Sequence, residues 1–217
     1  MKKNLTEIVF ILDRSGSMSG LEQDTIGGFN SLIEKQKKED GEAYISTVLF
    51  DHTSEVLHDR VDLKKIKPMT EDEYFVRGST ALLDAVGGAI QHIGNVHKYA
   101  RKEDVPEKTI FVIMTDGYEN ASTNYRYNEI RRMITRQKKK YGWEFMFLGA
   151  NIDAVSEARK FGVAEEMAVE YHSDKRGTAV SYDAICGAVS SCRMYGAVPP
   201  TWKENVEKDR KNRRRDR

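Results

Sequence analysis

The chain has few of the residues that build disulfide-rich or membrane proteins. Its 217 residues include two cysteines and four prolines, and no apolar run approaches the ~18 residues that a membrane helix needs. Cys186 and Cys192 are too few for a structural zinc site, and their spacing on a helix does not favour a disulfide. The sequence therefore predicts reduced thiols and no membrane span.

The chain also lacks an excess of charge of either sign. It has 35 Lys and Arg residues against 34 Asp and Glu residues, so the field of the whole protein selects no particular partner. The segment 1–7 has no apolar stretch of the kind that a signal peptide carries, and we expect a cytoplasmic protein. Hydrophobic residues make up 39% of the chain, which is enough for the core of one α/β domain.

Short apolar segments alternate with segments that have a helical period. The apolar segments predict strands buried on both faces, at 8–12, 44–50, 109–114 and 143–148. The alternation predicts a doubly wound, mostly parallel sheet with helices on both faces. Segment 53–63 follows its neighbour too closely for a parallel crossover, so we expect an antiparallel edge strand there. A short strand at 167–171 is expected at the other edge.

The composition changes after Tyr195, first to Pro199-Pro200 and then to a charged run. We therefore place the folded domain at 1–197 and expect the charged tail 198–217 to be disordered. The basic residues of this tail, and those of the segment 131–140, have the charge to contact nucleic-acid phosphates. A solvated surface is the simpler interpretation of both segments, so nucleic acid is the less favoured partner.

Oxygen-bearing side chains follow the ends of two predicted parallel strands. Asp13, Ser15 and Ser17 follow the first strand, Asp116 follows the third parallel strand, and Thr80 precedes the second long helix. In a doubly wound sheet such loops meet at the carboxyl edge, where ligands bind. Alone, Asp-x-Ser-x-Ser could cap a helix and Thr-Asp-Gly could form a turn. Together these residues favour a site for a hard cation such as Mg²⁺.

The type of ligand predicts how such an ion would behave. If the hydroxyls of Ser15, Ser17 and Thr80 bind directly, the protein gives the ion no negative charge in its inner shell. The carboxylates of Asp13 and Asp116 could then hold water molecules of the ion. An ion bound in this way seeks an anionic oxygen from outside, such as the Asp or Glu carboxylate of a partner protein. Mg²⁺ and Mn²⁺ both suit this oxygen set, and Ca²⁺ is less favoured because the carboxylates are so few.

These five residues, taken together, resemble the metal-ion-dependent adhesion site (MIDAS) of von Willebrand factor type A domains. The resemblance covers roughly residues 5–195. It implies a Rossmann-like fold, with Ser15, Ser17 and Thr80 as direct ligands and with Asp13 and Asp116 acting mainly through water. It also implies a protein-interaction module that is not an enzyme. One departure is Ser79, which stands where the family often has a glycine.

Four further segments look like those of compact intracellular bacterial and phage members of the family. They are Phe50-Asp51, Arg77–Ala85, Asp116–Ser122 and Phe147–Asn151. This finer resemblance agrees with a cytoplasmic location, but it does not select a pathway or a partner.

A metal-dependent hydrolase is the alternative to a binding module. Asp13 would suit a phosphatase that forms an aspartyl-phosphate, but Ser15 stands where that chemistry usually has a second carboxylate. Ser17 has no histidine in the same loops to activate it, and His52 is the nearest candidate. The chain has neither a Walker-type phosphate loop nor a nucleophile elbow. The sequence thus favours a non-enzymatic module.

Overall fold

A computed structural model describes the backbone of residues 1–215 and the side chains of residues 1–213. Its strands are β1 (Lys2–Asp13), β2 (Glu42–Phe50), β3 (Ser54–Asp62), β4 (Pro106–Thr115), β5 (Glu144–Ala150) and β6 (Ala168–Tyr171). Its α-helices are α1 (Glu22–Gln36), α2 (Leu82–Tyr99), α3 (Tyr127–Tyr141), α4 (Ala154–Lys160), α5 (Lys175–Tyr195) and α6 (Glu204–Arg215). All the predicted strands are present, and helices alternate with them along most of the chain.

The strands form one six-stranded sheet in the order β3-β2-β1-β4-β5-β6. Every neighbouring pair is parallel except β2 and β3, so the predicted antiparallel edge strand is confirmed. In the register of the sheet, Asp13 at the end of β1 pairs with Phe50 at the end of β2. Leu12 pairs with Met114 of β4. Because these strands end at one level, the loops that follow them meet at one edge.

Helices cover the sheet on both faces, as the periodicity predicts. Helix α1 packs against α5, and helix α2 packs against α3. The α1–α5 contact depends on Gly28, because a β-carbon there would overlap the ring of Tyr182. Between the helix layers, Phe111 of β4 stacks on Phe145 of β5 with ring centroids 4.9 Å apart. These contacts fix the strands whose ends carry the candidate site.

The C-terminal segment corrects the expectation of a disordered tail from residue 198. Helix α6 follows a short 3-10 helix at Pro200–Lys203, and Trp202 and Val206 are buried against the domain. The Trp202 indole donates a hydrogen bond of 2.8 Å to the carbonyl of Glu166. The segment was predicted to be disordered because its composition is charged and only a few apolar residues anchor it to the domain. Residues 216 and 217 of the expected tail lie outside the described residues.

Within residues 1–215, no helix is both long and apolar enough to cross a lipid bilayer. Cys186 and Cys192 are buried in α5 and unpaired. Burial, with a smaller effect of Glu144, raises the pKa of the Cys192 thiol to about 11. Both cysteines therefore belong to the packed face of the helix.

Candidate metal centre

The loop after β1 is held against the loop that precedes α2. The Gly16 amide donates a hydrogen bond of 3.0 Å to the carbonyl of Gly78, and the Arg77 amide donates one of 2.9 Å to the carbonyl of Arg14. Gly78 has a φ of +68°, and a β-carbon there would lie 2.3 Å from Nδ1 of His52. A glycine is therefore required at position 78, and the close approach of the two loops brings their hydroxyl side chains together.

Three hydroxyl groups form a cluster at this edge. The Oγ of Ser15 lies 3.0 Å from the Oγ of Ser17 and 3.0 Å from the Oγ1 of Thr80. A β-carbon on Gly117 would lie 3.1 Å from both the Ser17 and the Thr80 oxygen. Ser15 and Thr80 are buried, whereas Ser17 is exposed. The cluster is therefore open to solvent on the Ser17 side. The backbone of Gly117 packs against the Ser17 and Thr80 hydroxyls, where a larger residue would crowd them.

Asp13 lies behind the hydroxyls with its side chain enclosed. The residue is 1% exposed. Its Oδ1 accepts a hydrogen bond of 2.7 Å from the Ser15 amide. Its Oδ2 accepts one of 2.5 Å from the Thr115 hydroxyl and one of 3.4 Å from the Asp116 amide. Burial raises the pKa of the Asp13 carboxyl, and the hydrogen bonds from Thr115 and Ser15 oppose the shift without reversing it.

Asp116 is enclosed in a similar way and is 3% exposed. Its Oδ1 accepts a hydrogen bond of 2.7 Å from the Asn151 side chain, and its Oδ2 accepts one from the hydroxyl of Ser173. Burial raises the pKa of the Asp116 carboxyl, although both of these hydrogen bonds act in the other direction. All the donors to Asp13 and Asp116 are uncharged, so neither carboxylate has a cationic partner among the described residues.

Thr80 is fixed from the loop that follows β4. Its amide donates a hydrogen bond of 2.9 Å to Oδ1 of Asn120. Its carbonyl accepts hydrogen bonds from the amides of Asn120 and Ala121, at 3.0 and 3.2 Å. The loops after β1 and β4 thus hold the Thr80 loop from two sides. The hydroxyl cluster is positioned by backbone contacts and not by side-chain packing alone.

A second, fully charged network lies beside this cluster. Asp51, at the end of β2, is 0% exposed, and its Oδ2 accepts hydrogen bonds from Nε of Arg14 at 3.0 Å and Nε of Arg77 at 2.8 Å. Both guanidinium groups lie 5.2 Å from the ring of Phe75. Burial acts to raise the pKa of Asp51, but hydrogen bonds from Arg77, the Thr53 amide and Arg14 lower it below the ordinary value.

The structure brings the predicted residues together as the sequence indicates. Ser15, Ser17 and Thr80 meet through their hydroxyls, and Asp13 contacts both the Ser15 and the Asp116 amide. In the described residues, no cluster of three or more His, Cys, Asp or Glu side chains offers a metal site of another kind.

The sequence argument missed three side chains that hold the two carboxylates. They are Thr115, Asn151 and Ser173. Asn151 directly follows β5, and Ser173 follows β6. The same carboxyl-edge argument, applied to these two strands, would have indicated both residues. Ser79 is exposed, and His52 pairs with Asp51 at 2.8 Å, so the histidine is already engaged by a carboxylate.

Solved structures with a similar fold are known. Proximal thread matrix protein 1 from the mussel byssus, solved with a zinc-occupied MIDAS motif, is 15% identical with a TM-score of 0.58. That match covers 88% of this chain and 47% of the other, so this chain spans about half the length of the mussel protein. The von Willebrand factor type A protein from Catenulispora acidiphila is 13% identical with a TM-score of 0.56, over 88% of this chain and 43% of that one.

A third similar structure is the von Willebrand factor domain of the type V pili tip protein Mfa5 from Porphyromonas gingivalis. It is 12% identical with a TM-score of 0.62, and the match covers 89% of this chain and 98% of that one. No protein-family model and no curated protein sequence matches the chain. The structural similarities show that the chain has the fold of von Willebrand factor type A domains.

Proposed function

We propose that the chain is a non-enzymatic protein-interaction module that holds one divalent cation, Mg²⁺ or Mn²⁺. Ser15, Ser17 and Thr80 are its direct ligands, and Asp13 and Asp116 act mainly through water. The observation that carries this proposal is the hydroxyl cluster, in which two oxygen pairs are each 3.0 Å apart.

The spacing of the hydroxyl oxygens fits a small octahedral ion. Mg²⁺ binds oxygen at about 2.0–2.1 Å, so neighbouring ligands of its octahedron lie about 3.0 Å apart. The bonds of Ca²⁺ are longer, about 2.3–2.6 Å, and they separate neighbouring ligands more widely. Ser15 is hydrogen-bonded to Ser17 and Thr80 at 3.0 Å, so the hydroxyls already stand at a separation that neighbouring ligands of Mg²⁺ or Mn²⁺ would have.

The charge of the surroundings supports the same conclusion. Asp13 and Asp116 are buried carboxylates whose partners are all neutral, and burying a charge without a counter-charge is costly. A divalent cation in the adjacent hydroxyl cluster would supply that counter-charge. Ion binding would favour the ionised form of both carboxyls, and so their pKa values would fall.

A partner's carboxylate is the ligand that this centre would recognise. Its direct ligands are neutral hydroxyls, which leave the positive charge of the ion available to an anionic oxygen. Ser17 marks the exposed side, where that oxygen would approach. The zinc in the MIDAS motif of the mussel protein is a precedent for a metal ion on this fold. A partner protein that presents an Asp or Glu side chain is therefore expected.

Two alternatives are less well supported by the geometry. Both carboxylate oxygens of Asp13 accept hydrogen bonds and the residue is 1% exposed, so it is poorly placed to attack a phosphate. Two of the basic side chains in α6 are engaged by acids, since Arg210 pairs with Glu170 and Arg213 with Asp174. A nucleic-acid role for the C-terminal segment would have to break these contacts.

The test is a calorimetric titration with Mg²⁺ and with Mn²⁺, with and without acetate as a stand-in for the partner's carboxylate. We expect the wild type to bind one ion, acetate to tighten binding, and Asp13→Ala to weaken it about 10-fold or more. Asp183→Ala removes an exposed carboxylate of α5 and should bind like the wild type. Equal binding by Asp13→Ala and the wild type would rule out the proposed centre.

A further inference from the structure

A cavity of about 660 Å³ lies at the opposite edge of the sheet from the candidate metal centre. It is formed by the C-terminal parts of α2 and α3, the start of β4 and the residue before β5. Its volume is in the range of sites that hold a small organic ligand, about 300–1,000 Å³. No part of the proposed metal chemistry uses this cavity.

The rim of the cavity is positively charged. Lys98, Lys102, Arg136 and Lys140 line it, and among the described residues no Asp or Glu does. None of these four cations forms an ion pair with a carboxylate in the described part of the chain. The Lys140 ammonium lies 5.1 Å from the centroid of the Tyr141 ring, and Lys140 and Arg136 lower the pKa of that phenol. The rim therefore offers a place for an anionic group.

Two basic residues of helix α3, Arg136 and Lys140, line the cavity, whereas Arg132 and Lys139 lie outside it. All four residues are exposed to solvent. Part of the basic segment 131–140 is therefore grouped at one concave site.

The interior of the cavity combines apolar side chains with side-chain amides. Its lining includes the buried Trp143 and the half-buried Met133, together with the side-chain amides of Asn95 and Gln137. The Oε1 atom of Gln137 is buried and has no hydrogen-bond partner. A buried acceptor without a donor costs free energy, so a ligand that brings an N–H group here would be favoured.

We infer that this cavity binds a nucleotide-type ligand, with its base among the amides and Trp143 and its phosphates at the four cations. A base supplies a planar apolar body with hydrogen-bonding edges, and the phosphates match a rim without acids. A base with phosphates could be supplied either by a free nucleotide or by one nucleotide unit of a single-stranded nucleic acid. The site is independent of the metal centre.

The test is calorimetry at physiological ionic strength in EDTA, which keeps divalent metals away from both the protein and the nucleotides. The probes are AMP, ADP and ATP, inorganic tripolyphosphate as the charge control, and a short single-stranded oligonucleotide. We expect one ATP per chain, bound at least about tenfold more tightly than tripolyphosphate. Binding of free ATP identifies nucleotides as ligands, and binding of the oligonucleotide alone identifies single strands.

A matched pair of variants locates the site. Arg136→Gln/Lys140→Gln should weaken binding about tenfold or more, because it removes two charged contacts. Arg132→Gln/Lys139→Gln removes the same charge from the same helix and should bind like the wild type. The inference is overturned if no probe binds, if tripolyphosphate binds as tightly as ATP, or if both double variants weaken binding equally.

Discussion

Asp13 ends β1 and Asp51 directly follows β2 at the same sheet edge, and yet their surroundings shift their pKa values in opposite directions. Both are almost fully buried, at 1% and 0% exposure. Arg14 and Arg77 donate to Asp51, and its pKa is lowered. Asp13 has only neutral donors, and burial raises its pKa. One carboxylate is neutralised by the protein itself, and the other is not.

This difference indicates different roles for the two carboxylates at the same sheet edge. The Asp51 network supplies its own cationic partners. It ties the loops after β1 and β2 to the loop before α2, and the Ala81 amide also donates to the Asp51 carbonyl at 2.7 Å. The carboxylate of Asp13 is buried beside the hydroxyl cluster and has no cationic partner among the described residues. We therefore expect Asp51 to matter for stability and Asp13 to matter for ion binding.

Removing the charge of Asp51 should give the largest effect. Asp51→Asn leaves the buried guanidinium of Arg14 with only the exposed carboxylate of Glu55 as a counter-charge. Breaking a buried ion pair costs about 3–5 kcal/mol. Urea unfolding in EDTA measures the loss. Asp13→Asn is the matched control, because it makes the same substitution one strand away. If both variants lost equal stability, the distinction between the two networks would fail.

The stability contributed by Asp51 should depend on pH in a defined direction. Its folded pKa is lowered, so the contribution is fully present above the ordinary value of about 3.9 and is lost as the pH falls through the folded pKa. The gap in unfolding free energy between wild type and Asp51→Asn should therefore be widest near neutral pH and should narrow below about pH 4. A gap that is constant down to acidic pH would show that the charge is not responsible.

Gly117→Ala tests the hydroxyl cluster without touching a proposed ligand. The new methyl group would lie 3.1 Å from the oxygens of Ser17 and Thr80, which crowds the space between them. We expect the affinity for Mg²⁺ to fall about tenfold, as it does when supporting groups are lost. Calorimetry measures this, and Gly88→Ala, where a β-carbon meets nothing within 4 Å, is the control.

The smallest effect is expected for Asp13→Asn in the absence of metal. The substitution removes a poorly solvated charge, and Thr115 can turn its hydroxyl to the Gly117 carbonyl, 3.1 Å away, so as to accept from the new amide. The change in unfolding free energy in EDTA should lie within about 1 kcal/mol of zero or be stabilising. A loss of several kcal/mol would place Asp13 with Asp51 as a structural residue.

The sequence was sufficient to predict the strands, the antiparallel edge and the five residues of the candidate centre. Those predictions rest on local periodicity and on a general property of parallel sheets, namely that the loops after their strands meet at one edge. The roles of Asn151 and Ser173 needed only the same argument extended to β5 and β6. They were missed because a single Asn or Ser in a loop is usually part of a turn.

Two other features could not be read from local patterns. The pairing of Asp51 with Arg14 and Arg77 depends on residues that are 37 and 26 positions away in the chain. Helix α6 is anchored by Trp202 and Val206, and by ion pairs whose acidic partners lie outside the helix. A charged segment with few apolar residues resembles a disordered tail until its partners in the folded domain are known.

Asp13 is a buried carboxylate without a cationic partner, and we propose that a metal ion in the hydroxyl cluster supplies the missing positive charge. Unfolding at different Mg²⁺ concentrations tests this proposal. The unfolding free energies of wild type and Asp13→Asn are compared in EDTA and at increasing Mg²⁺ concentration. We expect Mg²⁺ to stabilise the wild type by about 2.7 kcal/mol at a hundred times its dissociation constant. A site weakened tenfold or more in Asp13→Asn should gain about 1.4 kcal/mol or less at the same Mg²⁺ concentration. Equal stabilisation of both proteins, or of neither, would contradict it.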